Sequence, residues 1–452
     1  MKPQIDARSL LRFGNTLILA SLTFALSGCH HAPVSKVSPL SLALAADDGN
    51  TRTDEQIRDF QERIRAGRNR SASLERLGWL YVAKARESFD PGYYKLAEAC
   101  ADVLETETPR CLEGLLLRGC VFENLHRFKE AETIAHELVA QRGLSFDYGL
   151  LGDALMEQGR IGDSVKAYQS MMDLRPDLHA YSRAAHVRWL TGDVEGAKEL
   201  MQAAVNASSS QDPEAAAWVC SRLGFYQFQT GDNAAAGHNC DIALAFCPDY
   251  PPALLLRGRM LLAQTNASAA VEVLSRAARA NPLPEYQWLL AEAEHVAGRD
   301  EDVEKVESNL FHTGAAADPR TFSLFLSTRG SQGETALRLA REELQQRQDV
   351  FSHDALAWAL LANGHAQEAH KEMLRALAEG TEDGRLFFHA AVIAADSDHA
   401  VEARQWLQKT ALYAHLLLPS ERKEFQTLAA RLQGTDLALT SGDPKNISPR
   451  DN

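Results

Sequence analysis

Motifs that carry catalytic chemistry are absent from the sequence. It contains no glycine-rich phosphate loop, no HExxH zinc motif and no GxSxG nucleophile turn. Ser420 and Lys423 have the SxxK spacing of a serine nucleophile and its lysine, but the companion motifs are missing. A serine at the start of a predicted helix is also a natural N-cap. We therefore predict no catalytic residues, no cofactor and no enzymatic activity.

Histidines become frequent toward the C-terminus, where imidazoles from neighbouring helices could share a metal ion. They are His353, His365, His370, His389, His399 and His415. His365 falls in a predicted turn and the others fall on different helix faces. The sequence therefore predicts no metal site, although a metal-handling role for these histidines remains an alternative.

Composition and charge favour a folded helical protein. Hydrophobic residues make up 45% of the 452 residues and charged residues 24%. Ala, Leu, Glu and Arg are abundant, and these side chains lose little freedom on a helix. The formal net charge is −14, and removal of residues 1–28, with their net charge of +2, leaves −16. Such an acidic body repels phosphate backbones, so no nucleic-acid partner is expected. Acidity that serves only solubility explains the charge equally well.

The N-terminus has the features of an export signal. A basic segment precedes the apolar run Phe13–Leu26, which is shorter than the roughly 20 residues of a membrane-spanning helix. The run ends in Leu-Ser-Gly-Cys at 26–29, which resembles the bacterial lipobox. We predict a lipoprotein signal peptide over 1–28 and a lipid anchor on Cys29 that holds the protein to a membrane. An ordinary cleaved signal followed by a coincidental cysteine is the alternative.

The residues after the predicted anchor indicate a tether and a location. Residues 29–52 are rich in Pro, Ser, Ala and Asp and lack helical periodicity, so we predict a flexible tether. The residue after Cys29 is His30 rather than aspartate. By resemblance to bacterial lipoprotein sorting, this implies the cell envelope, as an outer-membrane lipoprotein facing the periplasm.

Small residues recur along the chain at a fixed spacing. Successive members of one series are mostly 33 or 34 positions apart, and a second small residue follows each about twelve positions later. The first series is Gly119, Gly152, Ala185, Gly224, Gly258, Ala291, Ala357 and Ala390. Two antiparallel helices approach closely only where both carry small side chains, and glycines and prolines between the series end the helices. The spacing predicts stacked helical hairpins.

This pattern resembles the tetratricopeptide repeat, and the segment 148–176 matches it best, through Gly152, Gly159, Tyr168 and Pro176. The resemblance covers roughly residues 70–415 and recurs nine or ten times. It implies an all-α, right-handed superhelical solenoid of about nine or ten hairpins over 53–433, with terminal capping helices. Residues 434–452 are predicted to be a disordered tail.

In this family, positions 2, 5, 9 and 12 of each first helix face the inner, concave wall of the superhelix. In this register most of the tryptophans fall on that wall, together with phenylalanines and several carboxylates. Aromatic side chains are enriched at interface hot spots, so we predict a groove for an extended or helical peptide with apolar anchors and some basic character. Packing of these rings between neighbouring helices is the alternative. The predicted groove residues are Trp79, Trp189, Trp218, Phe225, Phe228, Arg259, Trp288, Glu292, Phe325 and Trp358.

Six cysteines remain after Cys29, an even number that permits disulfides in an exported protein. In the repeat register, Cys220 and Cys240 face each other across one hairpin, which makes them the best candidate pair. Buried free thiols are the alternative.

The resemblance implies a membrane-tethered scaffold or adaptor of the bacterial cell envelope that binds a peptide or protein partner in an aromatic, acidic groove. The alternative is an accessory subunit of an envelope enzyme or a metal-handling system that uses the C-terminal histidines. The sequence does not define the oligomeric state or the identity of the partner.

Overall fold

The computed structural model of the protein describes residues 38–440, with the backbone alone described at 433–440. Within this range the regular structure consists of 23 α-helices and one short 3₁₀ helix, without strands. The predicted all-α solenoid of helical hairpins is confirmed. None of these helices combines the length and the hydropathy that crossing a membrane requires.

Ten antiparallel hairpins, numbered here 1–10 in chain order, form most of the described chain. Hairpins 1–5 are α3 (Arg70–Ser88) with α4 (Gly92–Glu107), α5 (Leu112–Asn124) with α6 (Phe128–Gln141), α7 (Ser145–Glu157) with α8 (Ile161–Leu174), α9 (Leu178–Leu190) with α10 (Val194–Asn206), and α11 (Pro213–Gln229) with α12 (Asn233–Phe246). Hairpins 6–10 are α13 (Pro251–Ala263) with α14 (Ala267–Ala280), α15 (Pro284–Val296) with α16 (Asp300–Ala317), α17 (Pro319–Thr328) with α18 (Gly333–Gln346), α19 (Val350–Ala362) with α20 (Ala366–Ala376), and α21 (Gly384–Asp396) with α22 (Ala400–Leu412).

The recurring small residues lie where the helices approach most closely. A Cβ built on Gly152 would lie 2.2 Å from the ring of Tyr168 in the second helix of the same hairpin. A Cβ on Gly258 would lie 2.4 Å from the side chain of Leu274 in the same way. Interiors are packed as densely as organic crystals, so a single added methyl group has no space here. The spacing of about 33 residues therefore reports the helix contacts that build each hairpin.

The N-terminal part of the described chain is more ordered than the predicted tether. Helix α1 (Pro39–Ala43) packs on α4 with Ala43 fully buried. The backbone oxygens of Ala43 and Ala45 accept hydrogen bonds from Tyr81 and Gln61, each at 2.7 Å. The predicted tether over 29–52 is therefore shorter than expected, because residues 39–45 bury apolar surface and satisfy backbone groups against Gln61 and the first hairpin.

Helix α2 (Arg52–Arg65) caps the first hairpin, as predicted, with Ile57 and Ile64 fully buried. Its N-cap is Thr51, which pairs with Asp54 in a capping box. At the other end α23 (Pro419–Thr440) contacts α15, α21 and α22. This last helix extends to residue 440, beyond the predicted boundary of the solenoid at 433.

The superhelix closes on itself, because turns of early hairpins meet linkers that follow late hairpins. The first such contact joins the turn of hairpin 3 to the linker after hairpin 8. The backbone N–H of Gln348 donates to the carbonyl oxygen of Glu157 at 3.0 Å, and Arg347 forms an ion pair with the Glu157 carboxylate. A Cβ on Gly159 would lie 2.4 Å from the Gln348 carbonyl oxygen, so only glycine allows this approach.

The same contact repeats for the next two hairpins. The hydroxyl of Thr381, in the linker after hairpin 9, donates to the carbonyl oxygen of Leu190 at 2.5 Å. In the linker after hairpin 10, the His415 ring nitrogen lies 2.8 Å from the carbonyl oxygen of Phe228. We call these contacts the closure seam. The seam joins the turns at 157–160, 190–193 and 228–231 to the linkers at 347–349, 377–383 and 413–418. Each turn meets the linker that follows the hairpin five places later.

Candidate functional site

Closure of the superhelix forms a partly open cavity of about 410 Å³ on its inner side. Seven successive first helices, α9, α11, α13, α15, α17, α19 and α21, contribute to its wall. A volume of this size is typical of a ligand pocket, which lies in the range of about 300–1,000 Å³. The cavity is therefore our candidate binding site.

Five of the ten predicted groove residues line this cavity: Trp189, Trp218, Phe225, Arg259 and Trp288. The indole of Trp189 stacks on Phe351 with ring centroids 5.6 Å apart, and its Nε1–H donates to Gln229 at 2.7 Å. Trp218 is half-buried, whereas Trp189 and Trp288 are almost fully buried. The aromatic inner wall is thus held rigidly by ring packing and hydrogen bonds.

The other five predicted groove residues lie away from the cavity. Phe228 packs under His415, and Glu292 accepts hydrogen bonds from the backbone and hydroxyl of Ser420, at 3.0 and 2.7 Å. The remaining three pack within the helical core: Phe325 against Trp288, Trp358 on His389, and Trp79 in the N-terminal core. An open groove was expected, but the chain's own C-terminal segments cover Phe228 and Glu292. Binding of a partner at the cavity residues stays a prediction.

Three arginines on the cavity wall were missed by the sequence pattern. Arg222, Arg320 and Arg385 line the cavity together with the expected Arg259. In the repeat register they occupy positions other than 2, 5, 9 and 12, and their long side chains reach the interior from flanking positions. The wall also carries three carboxylates, which are Glu285, Asp354 and Asp383. The inner wall here is thus richer in arginine than the predicted acidic groove.

Most charges of the cavity are paired within the chain. Arg259 pairs with Glu285 at 2.7 Å, and Arg385 pairs with Glu421 at 2.7 Å while lying 4.7 Å from the centroid of Trp288. Burial raises the pKa of Asp383. The backbone N–H groups of Arg385 and Leu386 donate to its carboxylate and offset part of this rise. Pairing of this kind offsets the cost of removing these charges from water.

Carboxylates do gather on the inner side of hairpins 2 and 3, outside the cavity lining. Burial, together with the carboxylates of Asp153 and Glu157, raises the pKa of Glu123 to about 8. Arg183 pairs with Asp153 at 2.6 Å, and Arg347 of the closure seam pairs with Glu157. This acidic region was expected from the sequence, and it is neutralised by arginines of the same chain.

The C-terminal histidines are used in pairs with carboxylates. His389 is fully buried with Nδ1 2.8 Å from Asp354, and His370 lies 2.9 Å from Glu402 with its ring stacked on His399. Over the described residues, no group of three or more His, Cys, Asp or Glu side chains is arranged to hold a metal ion. The metal-handling alternative gains no support from these contacts.

Cys220 and Cys240 are not bonded to each other in this structure, and both are fully buried in the same hydrophobic cluster. The Cys240 thiol lies 3.1 Å from the carbonyl oxygen of Ala253, and burial raises its pKa, which makes it a poor nucleophile. The disulfide between these residues stays a prediction, which thiol counting with and without reductant tests. Cys29, the predicted lipidation site, lies outside the described residues.

The family model described as "Tetratricopeptide repeat" matches residues 150–218 and 255–302. These segments lie in hairpins 3–7, which supply much of the cavity wall. The match agrees with the hairpin geometry, and tetratricopeptide repeats typically form scaffolds for protein–protein interaction. No curated protein sequence matches this chain.

Similar solved structures have low sequence identity to this chain. The APC/C hetero-tetramer Cut9–Hcn1 is 12% identical, with 84% of this chain and 90% of that chain covered and a TM-score of 0.36. Yeast Tom70 is 12% identical, with 82% and 97% covered and a TM-score of 0.31. YrrB, a TPR protein with an unusual peptide-binding site, is 16% identical, with 43% and 95% covered and a TM-score of 0.27.

Proposed function

We propose that this protein is a non-enzymatic scaffold that seats a short apolar segment of a peptide or protein partner in its internal cavity. The observation that carries the proposal is the ring of seven first helices around an aromatic cavity of about 410 Å³. Trp218 and Phe225 are partly exposed, and the almost fully buried rings of Trp189 and Trp288 pack beside them. Side chains that are already immobilised lose little further entropy on binding.

The size of the cavity limits what it accepts. A volume of about 410 Å³ lies near the lower end of the range of ligand pockets, which favours a small part of a partner over a long segment. We infer that the partner inserts a chain end or a single apolar anchor, rather than the longer peptide that an open groove would hold.

We also propose that the scaffold works in the bacterial cell envelope, attached through a lipid on Cys29. Support comes from the sequence, where a basic segment, an apolar run and a lipobox-like ending precede this cysteine. His30 in place of aspartate supports outer-membrane sorting, and we propose that the body faces the periplasm. Lipid anchorage would hold the cavity near the membrane, where partners of the same compartment are concentrated.

Selection of peptides that bind the purified body tests the proposed cavity. Randomised peptides are selected on the wild-type protein, and their affinities are then measured for Trp218→Ala. Trp218 is chosen because it lines the cavity and is only half-buried, so its removal disturbs the fold less than removal of Trp288. A hot-spot tryptophan contributes more than about 2 kcal/mol, so the affinity is expected to fall at least tenfold.

Trp79→Ala is the matched control, because Trp79 is also half-buried but packs in the N-terminal core away from the cavity. Peptides seated in the cavity bind this variant as they bind the wild type. Equal loss of affinity in both variants, or no loss in either, would argue against the cavity as the binding site.

A further inference from the structure

Arg222 differs from the other cavity arginines in having no carboxylate partner. Arg259, Arg320 and Arg385 pair with Glu285, Asp349 and Glu421, at 2.7, 2.9 and 2.7 Å. Arg222 instead makes two long hydrogen bonds through its Nη2, at 3.3 Å to His186 and 3.3 Å to the hydroxyl of Tyr226. Among residues 38–432, no carboxylate oxygen lies within 4.0 Å of its guanidinium.

Neutral groups surround this guanidinium. It lies 5.3 Å from the ring centroid of Phe225, 5.2 Å from that of Tyr226 and 5.6 Å from that of Trp189. Burial and the Arg222 charge lower the pKa of His186 to about 3, so this imidazole is neutral at physiological pH. The aromatic faces compensate part of the positive charge. They do not supply the charge-assisted hydrogen bonds that a planar guanidinium forms with a carboxylate.

The position of Arg222 makes this unmatched charge available to a ligand. Its side chain lines the same cavity as Trp189, Trp218 and Phe225, together with leucines of α13, α15 and α17. A molecule that fills the cavity thus meets one cation without a carboxylate partner, aromatic and leucine side chains, and charged groups that are already paired within the chain. The complementary molecule carries one anion and an apolar body.

We propose that Arg222 binds the carboxylate of an apolar ligand whose hydrocarbon or aromatic part lies among the tryptophans of the cavity. The inference rests on the proposed function only in taking the cavity as the binding site. Two sources carry this chemistry: the free C-terminus of an apolar peptide, and a small apolar acid. It also revises the expected ligand, because the acidic groove predicted from the sequence favoured basic character.

Four defined probes test the proposal by isothermal titration calorimetry on the full chain without its signal segment. The peptide pair is acetylated tri-leucine with a free carboxylate and the same peptide with a C-terminal amide. The small-molecule pair is octanoate and octanamide. Because a hydrogen bond to a charged group is a strong one, at least one acid is expected to bind about tenfold or more tightly than its amide.

Variants at two arginines then locate the carboxylate. Arg222→Gln is expected to reduce the acid-to-amide ratio to about one. Arg222→Lys keeps the charge without the planar fork and retains an intermediate ratio. Arg188→Gln is the control, because Arg188 does not line the cavity and pairs with Asp193 at 2.8 Å, so this variant is expected to preserve the ratio.

The outcomes separate this inference from the proposed function. A ratio near one in the wild type, absence of binding by both acids, or a ratio that survives Arg222→Gln in a folded variant each overturns the role of Arg222. Preferential binding of octanoate alone supports the carboxylate site and argues against a peptide occupant. Peptides that bind through Trp218 without any acid preference leave the scaffold proposal standing and overturn only the carboxylate site.

Discussion

Replacing Gly159 with alanine is expected to open the closure seam at its first contact. Gly159 lies in the turn of hairpin 3 at φ +74°, and a Cβ built there would lie 2.4 Å from the carbonyl oxygen of Gln348. The clashing atom belongs to the backbone and cannot rotate away, so the linker at 347–349 must move. That movement separates the Gln348 N–H from the Glu157 carbonyl oxygen, now 3.0 Å away, and weakens the Arg347–Glu157 ion pair.

The expected loss of stability has a local part, from backbone strain at Gly159, and a seam part, from the lost contacts of the closure seam. A left-handed backbone costs an alanine about 1–2 kcal/mol wherever it occurs. Loss of the backbone hydrogen bond adds about 0.5–1.5 kcal/mol. Full separation of Arg347 and Glu157, whose side chains are only 14% and 17% exposed, adds about 3 kcal/mol. The free energy of unfolding is therefore expected to fall by about 2–6 kcal/mol, depending on how completely the seam opens.

Gly298→Ala is the matched control for the local part. Gly298 occupies the equivalent turn of hairpin 7 at φ +72°, but a Cβ built there meets no atom within 4 Å. This variant is expected to lose only the roughly 1–2 kcal/mol of backbone strain. Gly192→Ala is a second seam variant, because its Cβ would lie 2.6 Å from the carbonyl oxygen of Gly380.

Urea unfolding followed by circular dichroism measures the stability, and hydrogen–deuterium exchange measures the seam itself. In Gly159→Ala, the amides at 347–351 are expected to exchange faster than in the wild type, while those of the other hairpins stay protected. Small-angle X-ray scattering is expected to show a larger radius of gyration. Equal urea midpoints and equal exchange at 347–351 for Gly159→Ala and Gly298→Ala would refute the closed superhelix.

Three further predictions concern charge, packing and attachment. The pKa of Glu123 is raised to about 8 from its ordinary 4.5, so the folded state keeps a proton that the unfolded chain releases. The free energy of unfolding should therefore fall between pH 5 and 8, by up to about 1.4 kcal/mol per pH unit. Urea titrations should show a flatter pH dependence for Glu123→Gln. The control Glu113→Gln, at a half-exposed site, should leave the dependence unchanged. Trp288→Ala should lower the free energy of unfolding by about 3–5 kcal/mol, because the indole is 2% exposed. A loss of stability smaller than that of Trp218→Ala would contradict the packing of Trp288. Cys29→Ala should abolish incorporation of labelled palmitate in a bacterial host and move the protein from the membrane to the soluble fraction, whereas unchanged fractionation would refute lipid anchorage.

Much of the fold followed from the sequence because the hairpin is a local structure. Its two helices touch through residues about twelve positions apart, such as Gly224 and Ala236, where a Cβ built on the glycine would lie 3.2 Å from the alanine carbonyl oxygen. Contacts this close require small side chains. The same register placed Trp189, Trp218 and Trp288 on the inner wall, where the cavity contains them. Local periodicity therefore determined the elements, their pairing and the side of the solenoid that carries the rings.

Boundaries at the ends were harder to predict. Residues 39–45 have no helical period, yet Ala43 is fully buried and its carbonyl oxygen accepts a hydrogen bond from Tyr81. This packing joins positions 38 residues apart, and the sequence of the short segment does not indicate it. A tether and a docked segment can have the same composition, so only the tertiary contacts distinguish them.

Closure of the superhelix was decided by the tertiary structure alone. The seam joins residues as far apart as Leu190 and Thr381, 191 positions along the chain, and it depends on small rotations between hairpins that accumulate over five of them. No single repeat encodes that sum. Because closure determines which inner side chains stay accessible, it buried Phe228 beneath His415 and placed Arg222 in the wall of the cavity. The sequence thus determined the hairpins, and their accumulated curvature decided the site.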